Sequence, residues 1–180
     1  MTSFEDKLIK NITETPGFYL VKAKPSQLTN CYLSLISAIS KVSSGVIINF
    51  RNPSFNDKKK IASKGIDTSN LAFIDAVCVR ADEMPDDDSI FYLMNPNDLD
   101  GIIESLDSIF LKYSPSFVAI DIIDIALYYN SIEKIVKSLL YLKTESQKKK
   151  FSVIVFTGSE NLLLVSEISK IADEMKTWSE

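Results

Sequence analysis

Short, nearly continuous apolar runs alternate along the chain with longer stretches whose apolar residues recur every three or four positions. Residues 2–14 predict a short amphipathic helix, and Gly17 closes this lead-in. Phe18–Ala23 predicts a strand. Ser26–Ser40 predicts a helix, with Leu28, Cys31, Tyr32, Leu35, Ile36 and Ile39 at helical spacing. "GVIINF" from Gly45 predicts a second strand, apolar apart from Asn49. Such a run suits burial on both faces, as in a parallel sheet. Phe55–Lys64 predicts a helix stopped by Gly65. Leu71–Val79 and Ile90–Met94 predict the third and fourth strands, separated by the acidic turn "ADEMPDDDS". The helix that follows is capped by Asn97 or Asp98, and its early acids suit its positive end. Ser116–Asp121 predicts the fifth strand. Ser131–Leu142 predicts a helix with Ile132, Ile135, Val136, Leu139 and Leu140 on one side. Phe151–Gly158 predicts the sixth strand, and Asn161–Trp178 a closing helix with no strand after it. Strand and helix alternating in this way predict one three-layer α/β domain over residues 1–180, built on a mostly parallel sheet.

Composition adds limits. Of 180 residues, 46% are hydrophobic and 24% charged, which is globular rather than disordered. No apolar run has the length of a membrane span, and the N-terminus lacks the basic start and apolar core of a signal peptide. The two cysteines, Cys31 and Cys78, sit in apolar contexts, which fits a reducing, cytoplasmic setting. With no histidine, the chain has no His-based triad, no His-ligated metal and no His general base. A net charge of −4 argues against a dedicated nucleic-acid binder. Lys58, Lys59, Lys60 and Lys64, and likewise Lys148, Lys149 and Lys150, read as solvated helix ends. Asp86–Asp88 lacks the spacing of a calcium loop and reads as a solvated turn.

In open parallel sheets, sites lie at the carboxyl ends of strands. The polar residues there are Lys22, Lys24, Ser26, Thr29 and Asn30 after the first strand, and Arg51 and Asn52 after the second. Asp121 and Asp124 follow the fifth, and Thr157, Gly158, Ser159 and Glu160 the sixth. Between roughly Gly17 and Asp173 the order of these segments resembles the RecA/KaiC-like family of P-loop ATPase domains. "GFYLVKAKPSQLTNCYLSLISAI" is placed like the Walker A region, and "GVIINFRNP" like the strand that delivers catalytic glutamates. "SFVAIDIIDIALYY" is placed like Walker B, and "KKKFSVIVFTGSE" like the strand whose tip senses nucleotide.

The resemblance implies a RecA-like sheet in which the sixth strand lies between the first and the fifth. It also implies a site whose working parts are replaced. Ala23, Ser26 and Leu28 stand where loop glycines wrap phosphates, Thr29 where the lysine stands, and Asn30 where a hydroxyl holds magnesium. Arg51 and Asn52 fall where the carboxylates would be, and Thr157 and Gly158 at the usual polar tip. Asp121 matches the carboxylate that helps organise magnesium. It also reads as a plain strand end facing solvent or capping, and Asp124 as a cap for the next helix.

The expectation is a degenerate, non-catalytic domain with no cofactor and no metal, acting as a protein-interaction or regulatory module. Its partner would be another protein or a second copy. The alternatives are a weak nucleotide binder that uses Lys22 or Lys24, and a nucleic-acid-binding recombinase relative. Two structural expectations follow. Arg51 should lie within salt-bridge reach of Asp121 or Asp124 across the crevice, or face it through water. An interface should include the apolar helix face within Leu127–Leu142, with Tyr128, Tyr129 and Tyr141.

Overall fold

The computed structural model describes residues 4–77, 85–93, 95–158 and 161–178. Seven strands form a single sheet: β1 Phe18–Lys22, β2 Gly45–Asn49, β3 Leu71–Asp75, β4 Ile90–Tyr92, β5 Phe117–Ile120, β6 Ser152–Thr157 and β7 Glu174–Thr177. Their order is β4-β3-β2-β5-β6-β1-β7, and every pairing is parallel. The sixth strand therefore lies between the first and the fifth.

The sheet is covered on both faces. α1 (Phe4–Glu14), α2 (Leu28–Ile39) and α3 (Ser54–Ser63) lie on one side; Leu8, Ile12, Leu28, Tyr32, Leu35 and Ile61 pack there against Val21, Ile47, Phe73, Ala119 and Phe156. α4 (Leu99–Lys112), α6 (Ile132–Lys149) and α7 (Leu162–Ile171) lie on the other; Ile102, Leu106, Ile135, Leu139, Leu164 and Ile168 meet Leu20, Ile48, Ile74, Ile120 and Val155 there. Because alternate residues of each strand point to opposite faces, strands between two helical layers must be apolar throughout. A short helix, α5 (Ile123–Ala126), follows β5 directly.

Four predicted elements differ in extent from the structure. The closing helix stops at Ile171, and β7 follows it. Residues 174–177 alternate half-buried and exposed, the period of a strand, and they pair with the outer edge of β1. Asp173 fixes the junction: its N–H donates to the Phe18 carbonyl, and its Oδ2 accepts the Phe18 N–H at 2.8 Å. The helix predicted to end at Leu142 continues to Lys149, since Leu142 and Ser146 extend the buried stripe of Ile135 and Leu139. The third strand ends at Asp75 and the fourth at Tyr92; Cys78, Val79 and Met94, expected in these strands, lie outside the described residues. Of the two proposed caps for α4, Asp98 serves, accepting the Gly101 N–H at 2.8 Å.

α6 ends on Lys150, which is held at φ 62°, ψ 47° with its N–H donating to the Ser146 carbonyl. A side chain at positive φ costs roughly 1 kcal/mol that glycine does not. Lys150→Gly is therefore expected to stabilise the domain by about 0.5–1 kcal/mol, read from urea unfolding midpoints.

Candidate functional site at the carboxyl edge of the sheet

The connections leaving β1 and β2 cross one face of the sheet, and those leaving β5 and β6 cross the other. A crevice therefore opens at the carboxyl ends where β2 adjoins β5 and where β6 adjoins β1. Three carboxylates line this edge, and each is held by backbone N–H groups of its neighbours.

Asp121 follows β5 and is fully buried. Its Oδ1 accepts the N–H groups of Phe50 at 2.9 Å and Ile122 at 2.6 Å, and its Oδ2 accepts that of Arg51 at 3.3 Å. It ties the turn after β2 to the end of β5 and neither faces solvent nor caps a helix. Burial pushes its carboxyl up to about 6; the Phe50 and Ile122 N–H groups oppose the rise, nearby Asp57 adds to it and Arg51 opposes it. Asp75, at the tip of β3, accepts the Ser54 N–H at 2.6 Å and the Val77 N–H at 2.8 Å. Asp124 also departs from its predicted role. It does not cap the helix that contains it but accepts the Thr157 hydroxyl at 3.0 Å and the Gly158 N–H at 3.0 Å, fastening α5 to the tip of β6.

Arg51 lies half-buried at the end of β2. Among the described residues no direct ion pair joins it to Asp121 or Asp124, the first of the two arrangements expected. Its Nη1 donates instead to the Thr29 hydroxyl at 2.6 Å, in the first turn of α2. The reason is local: the Asp121 oxygens are already occupied by three backbone donors, while Thr29 presents a free acceptor from across the crevice. The arginine charge still acts on the acids, opposing the rise in both Asp121 and Asp57.

A second buried group extends the site towards α3. Asp57 is inaccessible to solvent. It accepts the Tyr32 hydroxyl at 3.3 Å, the Asn52 side-chain amide at 3.4 Å and the Lys60 ammonium at 3.5 Å. Burial raises its carboxyl above the usual range, and Lys60 and Arg51 oppose this. Burial, followed by the charges of Asp57 and Asp121, holds the Tyr32 phenol well above its usual value. Asn49 donates to the Ser54 hydroxyl at 3.2 Å inside the same cluster. Sequence reasoning took Tyr32 for a core residue, which its edge-on packing against Phe156 at 5.4 Å supports, and did not single out Asp57 or Asp75. A signal for the strand residues was present: Asn49 and Asp75 are the polar members of otherwise apolar runs.

The segment placed like Walker A is a tight turn. Gln27 N–H donates to the Lys24 carbonyl, and α2 begins at Leu28. Leu28 is buried and leans on Gly158, where a Cβ would lie 2.8 Å from its Cδ2. Lys22 is half-buried between β6 and β7, whereas Lys24, Ser26 and Asn30 are exposed. The structure thus brings Thr29, Arg51, Asn52 and Asp121 together and leaves Lys24, Ser26 and Asn30 on the rim. Ser159 and Glu160 lie outside the described residues.

Five of the seven clustered lysines are engaged within the domain. Lys58 pairs with Asp87 at 2.6 Å, Lys60 with Asp57, Lys148 with Glu145 and Lys149 with Asp107 at 2.7 Å. Lys59 lies over the Phe55 ring. No group of three or more potential metal ligands occurs among the described residues, and no helix among them is long and apolar enough to cross a membrane.

No family model matches the chain, and no curated protein matches it. Its three-dimensional structure is similar to that of a KaiC-like protein from the hyperthermophilic archaeon Pyrococcus horikoshii OT3. The TM-score is 0.63 over 89% of this chain and 70% of that one, at 16% identity. The fold is that of a RecA-like α/β domain.

Proposed function

We propose that this domain is a RecA-like module without ATPase chemistry, one that acts through contacts with other protein surfaces. The observation that carries the reading is the contact between the Arg51 guanidinium and the Thr29 hydroxyl, beside an Asp121 whose oxygens hold three backbone N–H groups. Catalysis of phosphoryl transfer rests on a lysine and loop amides around the phosphates and on a carboxylate organising a hydrated magnesium ion. Here a threonine stands at the lysine position. Asp121 is buried and committed to the backbone, so drawing it towards a hydrated cation would strand three donors. Asp124 is likewise committed to Thr157 and Gly158.

The reading predicts no magnesium-dependent phosphate release above background from purified protein in a steady-state assay with ATP or GTP. Turnover that scales with protein and is lost in a Thr29→Ala, Arg51→Ala double variant that still folds contradicts it.

One observation favours weak nucleotide binding as a second reading. Arg51 brings a positive charge to the first turn of α2, where no acidic residue and no side-chain cap occupies the helix N-terminus. Exposed Lys24 lies on the same rim. Against it stand the buried acids Asp57 and Asp121, which the Arg51 charge already serves.

A further inference from the structure

α6 carries apolar side chains on more than one side. Ile135, Leu139 and Leu142 face the sheet and are buried. Tyr141 lies on the α4 side, with Ile103, Leu106 and Phe110. Ile132, Val136 and Leu140 form a separate i, i+4, i+8 stripe on the α7 side. With Leu163 and Glu167 of α7 they line an open groove of about 500 Å³. Leu163 is 60% exposed, Leu140 45%, and neighbouring Leu162 75%. Clustered rather than scattered, these exposed apolar side chains form a candidate contact surface.

The charges on the rim select the occupant. Glu133 and Lys137 flank the stripe one turn apart, and both are exposed. Among the described residues neither side chain has an ion-pair or hydrogen-bond partner, whereas Glu167, the other acid of the groove, is already paired with Lys170. A two-fold axis that crosses α6 near the level of Ile135 lays this helix antiparallel to its copy. Glu133 of each copy then faces Lys137 of the other, giving two equivalent ion pairs around an apolar seam. A parallel arrangement sets like charges against each other. An isologous contact needs a surface complementary to itself, and the Glu133–Lys137 pair has that property.

We infer that a second copy of this chain docks on the α6–α7 groove, through the stripe Ile132, Val136, Leu140 and Leu163, with antiparallel Glu133–Lys137 pairing. The inference rests on the proposed interaction role and specifies its partner.

Sedimentation equilibrium of the full chain over micromolar to high-micromolar concentrations tests it. The expected species rises from 20.2 kDa towards twice that mass. Leu140→Glu with Leu163→Glu is expected to abolish the dimer. Glu133→Lys alone and Lys137→Glu alone each replace two attractive contacts with two repulsive ones, weakening it roughly tenfold at low salt. The double reversal Glu133→Lys, Lys137→Glu is expected to restore wild-type affinity, which an unrelated docking mode does not predict. All four side chains are solvent-exposed, and circular dichroism melts confirm that each variant is folded. A monomer at every concentration overturns the inference and leaves the groove to a different partner. A dimer untouched by the leucine variants, or a double reversal no better than the single ones, overturns it as well. Phosphate release by the dimer would overturn the proposed function instead and leave the interface standing, so the two failures are distinguishable.

Discussion

Asp121→Ala is expected to destabilise the domain by about 3–5 kcal/mol. The substitution leaves the N–H groups of Phe50, Arg51 and Ile122 buried without an acceptor, at roughly 1–3 kcal/mol each before relaxation. Asp121→Asn behaves differently. Its carbonyl oxygen keeps the Phe50 and Ile122 donors, so at pH 4, where the folded wild-type carboxyl is itself protonated, the loss stays within about 1–2 kcal/mol. The pH dependence separates the two contributions of the carboxylate. The folded state raises this group from 3.8 to about 6, so between those values the native protein binds more protons than the unfolded chain. Its contribution to stability is therefore largest below pH 4 and declines as pH rises to about 6, by roughly 3 kcal/mol over that interval. Asp173 and Glu174, whose values are lowered, contribute stability of the opposite slope. The readout is accordingly the difference between wild type and Asp121→Asn in urea unfolding at pH 4, 5, 6 and 7. Wild type should lose ground to the asparagine variant as pH rises. A difference that stays constant with pH contradicts the buried-carboxyl account.

A comparable loss is expected from Gly45→Ala, for a reason unrelated to charge. Gly45 opens β2 and lies opposite Phe117 of β5 in the middle of the sheet. A Cβ at Gly45 would lie 2.2–2.4 Å from the Phe117 ring carbons. That ring is fully buried, so it has no open space into which to swing. Overpacking of this kind costs about 3 kcal/mol. Phe117→Ala alone should cost about 3–5 kcal/mol as a cavity, but it also removes the clash. The double variant Gly45→Ala, Phe117→Ala should therefore be less destabilised than the sum of the single variants. Additive losses in a double-mutant cycle would show that the ring does not limit the residue at position 45.

The apolar runs were enough to recover most of the sheet, because a strand buried on both faces leaves little room for polar residues. Asn49 and Asp75, the exceptions, hold the turns at the carboxyl edge. β7 was missed because Glu174, Met175, Lys176 and Thr177 form an edge strand with one side in solvent, and four residues are too few to show period two against a preceding helix. At the site, spacing brought Arg51, Asp121 and Thr157 to the correct edge but did not specify which atoms meet. Arg51 was matched with the carboxylates by charge. In the structure, backbone N–H groups occupy Asp121 first, and the guanidinium reaches Thr29 instead. Asp57 was passed over because it lies among lysines in a helix that reads as solvated. Its burial comes from Tyr32 and Asn52, which lie far from it or in the turn before it, and local sequence does not report such contacts.

Calorimetric titration of the protein with ATP and with ADP, each with and without magnesium, tests the account most directly. On the proposed reading, with Arg51 on Thr29 and Asp121 on its three N–H groups, no saturable heat is expected up to millimolar nucleotide. Saturable, magnesium-dependent binding at micromolar concentrations, weakened by Arg51→Ala in a protein that still folds, would contradict it.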